Sequence, residues 1–305
     1  MRKIIIAGGT GFIGAGLADF LSQKGYAIVL LSRNAAPSSL QYEHLVWDAH
    51  SEDGTWPTAL ENAYAIINLA GRSVDCIKTP DQCDEILRSR VESTKILGKV
   101  VEGLKSPPKV WIQMSTTHIY GDPLSIVCDE ESSTGYGLAP EVGRAWESTF
   151  KSLKLNGIRR VILRTSFVLG QKGGAMTTLS ALTKIGLGGH IGHGKQGMSW
   201  IHQTDLNKLF LEALKNHEME GIYNATSPNP VSNHDFMSAL RRSLRIPFGI
   251  KSPAFIVRLG AKYFFKTDPE LALYGRYCVS NRLSSLGFEF EYPEIYPALL
   301  SLVKK

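Results

Sequence analysis

Cysteine is scarce in this chain. Cys76, Cys83, Cys128 and Cys278 are the four among 305 residues, and no two of them share a short paired spacing. A chain long enough to bury about three quarters of its unfolded surface needs no disulfide staples, so free thiols in a reducing compartment are expected. The pair His190-x-x-His193 lies in a glycine-rich stretch without nearby acidic or cysteine companions, so no metal site is expected. Long apolar runs are missing as well. No uncharged stretch reaches the roughly 18 residues of a membrane helix, and Met1-Arg2-Lys3-Ile4 leads at once into a strand, which predicts a cytoplasmic protein with no leader and no membrane contact. Neither sign of charge dominates: 34 basic against 28 acidic side chains leave +6 and a pI near 9.0. That balance suits anionic ligands such as phosphates, or a solvated basic surface, and is too mild to imply nucleic acid. Repeats and low-complexity tracts are absent, and 43% hydrophobic with 20% charged residues excludes disorder and coiled coil.

What is present is an alternation of apolar strands and amphipathic helices. Lys3–Ala7 is a β-branched run ending in glycines, after which Ile13, Leu17, Phe20 and Leu21 recur at helical spacing until Gly25. Further strands are predicted at 27–32, 45–48, 63–69, 110–115 and 161–169, with helices marked by Val91, Leu97, Val101 and Leu104 and by Val142, Trp146, Phe150 and Leu153. This order argues for an α/β protein: a doubly wound parallel sheet of Rossmann type, covered on both faces. Residues 170–197 hold nine glycines in 28 positions and read as a turn-rich segment that either covers a substrate or merely links. Segments 200–202 and 221–225 are expected to return to the sheet around a helix at 205–214, with Asp205 as its N-cap. Helices at 233–244, 253–263, 269–274 and 295–303 complete a smaller, mostly helical lobe. The expected division is a dinucleotide-binding domain of 1–170 with 199–227, and a substrate lobe of 171–198 with 228–305.

Gly8-Gly9-Thr10-Gly11-Phe12-Ile13-Gly14 has glycines at 8, 11 and 14, spaced G-x-x-G-x-x-G. Small residues there let the backbone approach a pyrophosphate, whose charge meets the free amides and positive dipole of the next helix. About 20 residues on, at the end of the second strand, an acidic side chain would bind the ribose diol of NAD. The sequence instead reads Ser32-Arg33-Asn34, and a guanidinium fork pairs with a 2′-phosphate. NADP(H) is therefore the expected cofactor.

These residues resemble the extended short-chain dehydrogenase/reductase superfamily. Gly8–Gly14 matches its glycine turn, Asp48 its adenine-contacting Asp, and Asn68-Leu69-Ala70-Gly71 its N-x-A-G element. Ser115-Thr116-Thr117-His118-Ile119-Tyr120-Gly121 resembles the strand end that carries the catalytic Ser/Thr, which the resemblance puts at Thr116, a strand-end threonine capping a turn being the plain alternative. A narrower likeness is to the atypical NADP-binding epimerase-like branch with a C-terminal domain of unknown function. It rests on Gly173-Gly174-Ala175-Met176, on Gly186-Leu187-Gly188-Gly189 through Trp200-Ile201-His202, on Glu141 through Glu147, and on Leu286 through Pro293.

The superfamily's Tyr-x-x-x-Lys begins at Tyr136, but Pro140 stands where the Lys belongs. Bringing a free tyrosine from its pKa of about 10 to neutrality takes about 4 kcal/mol of differential stabilisation, and a proline supplies none. Either Tyr136 donates a proton as a neutral phenol, which suits carbonyl reduction, or Tyr120 or His118 takes over. Tyr136 and Tyr120 also have plain readings, as a loop tyrosine and a packed strand-end residue. The Arg that grips the diphosphate in nucleotide-sugar enzymes is missing too, since Met198 occupies its place in Gln196-Gly197-Met198-Ser199-Trp200. Gln196, Trp200 and His202 are candidates for substrate contact, with packing as the alternative.

The leading expectation is an NADP(H)-dependent oxidoreductase or epimerase-like enzyme acting on a small polar carbonyl or sugar-like substrate. A non-catalytic NADP(H)-binding redox sensor and a nucleotide-sugar epimerase are the alternatives. The helices around 91–104 and 141–154 suit a homodimer contact, and equally packing on the sheet.

Overall fold

The computed structural model describes residues 1–34, 41–171 and 173–303. One sheet of seven strands carries the molecule: β1 (Lys3–Ala7), β2 (Ala27–Ser32), β3 (Glu43–Val46), β4 (Ala65–Asn68), β5 (Val110–Thr116), β6 (Arg159–Thr165) and β7 (Gly221–Ala225). Their order is β7-β6-β5-β4-β1-β2-β3, and every neighbouring pair is parallel. The strand order reverses between β1 and β4, and in open α/β sheets that crevice, at the carboxyl ends of the strands, is where ligands bind.

Period-two alternation explains why both faces are covered. Ile4 and Ile6 of β1 join Ile67, Ile112 and Leu163 in one core, while Ile5 joins Ile66, Trp111 and Ile162 in the other. Helix α1 (Phe12–Gln23) seals the first face with Leu17 and Leu21, together with α4 (Gln203–Lys215), which contributes Leu206 and Phe210. Helices α2 (Pro80–Glu102) and α3 (Leu138–Ser152) seal the second with Leu97, Val101 and Phe150. Each fully buried Ile or Leu here stabilises the fold by roughly 1.5–3 kcal/mol. The apolar faces of α2 and α3 are thus occupied by packing within the chain.

The structure departs from the sequence pattern in five places. The apolar run 161–169 bends at Ser166, whose amide and hydroxyl both bond to the Ala225 carbonyl (3.1 and 2.9 Å). Beyond the bend, Phe167–Leu169 pairs with Trp200–His202 in a separate two-stranded ladder, so segment 200–202 does not return to the main sheet as expected. The third strand ends at Val46 instead of Asp48, because Trp47 turns inward against Trp56 (ring centroids 5.2 Å apart). Within the glycine-rich segment a ten-residue helix, Ala175–Lys184, forms where little pattern was visible; only Met176 and Thr183 are buried in it. The predicted helix over 253–263 runs Ala254–Gly260 and then widens into a π turn, Ala261–Phe265. Finally, Asp205 is not the N-cap of α4. His202 caps that helix, accepting from the Thr204 amide, while the Asp205 carboxylate takes the amides of Glu291 and Tyr292 at 2.7 and 3.0 Å.

The C-terminal region is mostly helical. Asn233–Leu244 and Ile295–Val303 close over Trp200, Phe236, Leu240 and Leu299. No helix among the described residues is long and apolar enough to cross a membrane.

Candidate active site

At the carboxyl end of β1 the chain turns through Gly8 at φ +77°. The Gly8 amide donates to Leu31 (2.8 Å) and its carbonyl accepts from the Gly11 amide (3.2 Å). A Cβ at Gly8 would lie 2.9 Å from the Leu69 carbonyl carbon, and one at Gly14 would lie 2.7 Å from the Gly8 oxygen. Both positions therefore admit nothing larger than hydrogen. Helix α1 starts at Phe12 with Gly11 as N-cap, no capping side chain and no acid in its first turn. Its first amides and dipole are left for an outside anion. Thr10 is exposed on this turn, Ile13 packs on the core, and the Phe12 ring fills the space that Cβ atoms on Gly170, Gly173 and Gly174 would need.

Beside the turn, the Ser32 hydroxyl is used internally, donating to the Asn34 carbonyl (2.9 Å) and meeting His44 Nε2 at 2.8 Å. Arg33 is exposed at the end of β2. Asp48 folds its own loop: one carboxylate oxygen accepts from the amides of His50 and Ser51, both at 2.8 Å, and those bonds hold its pKa below the ordinary value. Asn68 is wholly buried; its amide donates to Thr94 and Gln113, while its oxygen accepts from Ala70 and so shapes Leu69, Ala70 and Gly71. The Arg90 guanidinium lies under Gly71, 5.2 Å from the Trp146 ring centre, with its pKa lowered to about 10 by burial. Arg90 carried no local signal in the sequence.

Around the end of β5 the polar side chains form one buried network. Glu147 and Arg164 meet through two bonds, 2.8 and 2.9 Å, at 4% and 6% side-chain exposure. Burial opposes the Arg164 charge, yet hydrogen bonds and attraction from Glu147 carry its pKa above the ordinary value. Ser115 donates to Glu147 at 2.7 Å, so its hydroxyl is committed to the network. Tyr120 is 2% exposed; its hydroxyl accepts from Arg164 (2.8 Å) and donates to Asn224 (2.9 Å). Burial pushes its pKa up to about 12. A phenol locked in this way has no proton to give to a substrate.

Thr116 ends β5 half-exposed, accepting from the His118 amide at 3.1 Å. Tyr136 is 96% exposed, on a loop pinned by Gly135, whose amide donates to the Ile119 carbonyl (2.9 Å) and whose Cβ, if present, would lie 2.5 Å from the Tyr120 oxygen. The Tyr136 loop is thus anchored to the turn that follows Thr116. Pro140 is buried in the first turns of α3. His118 follows Thr116 by two residues and is held well below its ordinary pKa by burial and by the positive charges of Arg276 and Lys78.

Of the residues expected to touch substrate, Trp200 and His202 have their ring nitrogens bonded within the chain, and Gln196 keeps a buried Oε1 without a partner. Trp200 is fully buried, and its indole donates to the Asn229 carbonyl. His202 packs on Tyr292 with ring centres 4.1 Å apart, bonds Ser301 at 3.2 Å, and is driven to a pKa of about 4 by burial. Gln196 is 4% exposed and ties its loop to the carbonyls of Ile191 and Ala272. The packing alternative describes Trp200 and His202, because the lobe closes over them.

The NAD dependent epimerase/dehydratase family matches residues 4–226, and a domain of unknown function, DUF1731, matches residues 252–302. The chain belongs to that epimerase/dehydratase family. It is 29% identical to the human epimerase family protein SDR39U1 over 99% of each chain, and 30% identical to the Bacillus subtilis epimerase family protein YfhF over 99% of this chain and 98% of that one. A crystal structure of human SDR39U1 (isoform 2) with NADPH superposes with a TM-score of 0.87, at 28% identity and 99% coverage of both chains. A nucleoside-diphosphate sugar epimerase from Corynebacterium glutamicum gives 0.79 at 27% identity, covering 99% of this chain and 58% of that one.

Proposed function

We propose that this protein is an NADP(H)-dependent oxidoreductase that reduces a small polar carbonyl or sugar-like compound. The observation that carries the reading is the pairing of a glycine turn closed to any Cβ with a half-exposed hydroxyl, Thr116, at the carboxyl end of β5 on the same side of the sheet. The residues fit the cofactor. The uncapped turn of α1 would hold the pyrophosphate, Arg33 the 2′-phosphate, Asp48 the adenosine end, and Asn68–Gly71 the wall next to β4. The human relative solved with NADPH supports the same choice. When bound, NADPH supplies a hydride to the carbonyl carbon while the oxygen takes a proton, giving the alcohol and NADP⁺.

The chain's own contribution is orientation and a proton. Thr116 donates a hydrogen bond to the carbonyl oxygen, and Tyr136 serves as a neutral phenolic acid, the role left to it by Pro140. That assignment favours reduction over alcohol oxidation, which would need a tyrosinate. The test is NADPH oxidation against a panel of small aldehydes, ketones and sugars. Thr116→Val is expected to lower kcat/KM by about 100-fold. No oxidation by any carbonyl, together with no effect of Thr116→Val on whatever activity is found, would remove the proposal.

A second reading, a redox sensor without turnover, is favoured by Pro140 and by the locked Tyr120 hydroxyl. It requires a protein partner whose affinity differs between the NADPH and NADP⁺ forms, and equal affinities exclude it. A nucleotide-sugar epimerase has less support, because Met198, where the diphosphate-gripping Arg was expected, pairs with Val231 in a short ladder. Sugar isomerisation without net cofactor consumption would restore it.

A further inference from the structure

Arg276 is 7% exposed, and its Nε is buried without a hydrogen-bond partner. Among the described residues no ion pair joins its guanidinium. Its backbone, by contrast, is fully tied down. The Arg276 amide donates to Gly197 (2.9 Å), its carbonyl accepts from Ser199 (2.8 Å), and the preceding Gly275 amide donates to Asp122 (3.1 Å). Tyr277–Cys278 then pairs with Val127–Cys128. A buried cation held this firmly with no carboxylate in direct contact is costly to the free protein, and such a cost is retained where a ligand supplies the missing contact.

The surroundings say which charge. Arg276 and Lys78 both act on His118, and the groups that act on Arg276 are Asp122 and the thiols of Cys128 and Cys278. Met198 stands where nucleotide-sugar enzymes carry the arginine that grips a diphosphate, so Arg276 is left to meet an anion without that companion, which suits a monoanion. His118 lies on the turn Thr117–Tyr120 immediately after Thr116, and Cys278, two residues after Arg276, packs with Ile119 and Tyr120 of that turn, so Arg276 lies by the strand end that carries the hydroxyl assigned to the carbonyl oxygen. A guanidinium fork matches a carboxylate with two parallel bonds.

We propose that Arg276, with Lys78 and His118, binds the carboxylate of the substrate, so that the compounds reduced are small oxo acids. Their carboxylate anchors on Arg276 while the carbonyl reaches Thr116. The site gives a role to a residue of the domain of unknown function, which spans 252–302. The substrate assignment rests on the oxidoreductase reading; the anion site does not.

The experiment is calorimetric titration of the NADP⁺-loaded protein with pyruvate, methyl pyruvate, inorganic phosphate and UDP. Pyruvate is expected to bind, and methyl pyruvate, which lacks the charge, at least about tenfold more weakly. Arg276→Met is expected to remove that advantage and Arg276→Lys to keep part of it, with NADP⁺ affinity unchanged in both. Lys78→Gln, at a partly exposed position whose ammonium bonds the carbonyls of Val74 and Cys76, is expected to weaken pyruvate about threefold and serves if Arg276→Met does not fold. Equal binding of pyruvate and its ester, or tighter Arg276-dependent binding of phosphate or UDP, overturns the carboxylate site. If pyruvate binds through Arg276 and no oxo acid oxidises NADPH, the site stands and the reductase reading fails. If NADPH is oxidised by neutral carbonyls with no response to Arg276→Met, the reverse holds.

Discussion

Replacing Glu147 by alanine strips the counter-ion from Arg164 and leaves everything else about that arginine in place. The two side chains meet through paired bonds of 2.8 and 2.9 Å at 6% and 4% exposure, so water cannot enter to replace the carboxylate. Breaking a buried pair by removing one partner costs about 3–5 kcal/mol, because the surviving charge is stranded. The same change removes the acceptor of the Ser115 hydroxyl. Unfolding entropy near the midpoint is roughly 2.1 cal/mol/K per residue, so for this chain the expected fall in Tm is about 5–8 °C. Scanning calorimetry of the apo protein reads it directly. The double variant Glu147→Leu with Arg164→Met supplies the control, since an apolar pair of similar volume restores part of the loss, the Ser115 and Tyr120 hydroxyls still lacking these partners. A fall below about 1 °C in Glu147→Ala, or no recovery in the double variant, would refute the account of the pair as a buried charge that needs its partner.

Three further outcomes follow from the geometry. Gly14→Ala puts a methyl 2.7 Å from the Gly8 oxygen and should weaken NADPH binding at least about tenfold by fluorescence titration, whereas Gly260→Ala, in a helix with nothing within 4 Å, should leave binding alone and add a few tenths to about 1 kcal/mol of stability. Arg33→Met should cut NADPH affinity by roughly 10- to 100-fold and leave NADH affinity nearly unchanged; equal effects on both would place the 2′-phosphate elsewhere. His202, buried and lowered from 6.5 to about 4, stays neutral in the folded state while the unfolded chain binds a proton below pH 6.5. Stability is therefore lost as pH falls from about 6.5 to 4, by roughly 3 kcal/mol. His202→Asn, which keeps a capping oxygen, should flatten urea-measured stability across that window, and an unchanged slope would assign the loss to other groups.

The parts of this protein that were legible in advance are those governed by local chemistry. Lys3–Ala7, Ala27–Ser32 and the helix Asn233–Leu244 stand where β-branched runs and helical periodicity put them, since a strand buried on both faces must be apolar throughout. The glycine turn was legible for the same reason, because a backbone at φ +77° with no room for Cβ restricts the residue type at that one position. Less was visible where a side chain's role depends on who meets it. Tyr120, Ser115 and Glu147 look like ordinary strand-end and helix residues until the fold brings Arg164 and Asn224 to them across 17 to 104 positions of chain.

Amino-acid order alone thus determined the doubly wound sheet, the glycine turn and the basic residue after β2. Each is written in neighbouring residues, through periodicity, φ preference or charge. Tertiary structure decided which hydroxyls remain free. It withdrew Tyr120, Ser115, Trp200 and His202 into hydrogen bonds and packing, left Thr116 and Tyr136 open, and buried Arg276 without an ion pair. Satisfaction of a buried polar group is a property of the enclosing space, and that space is assembled from segments as distant as residues 116, 200 and 276, whose spacing along the chain carries no trace of it.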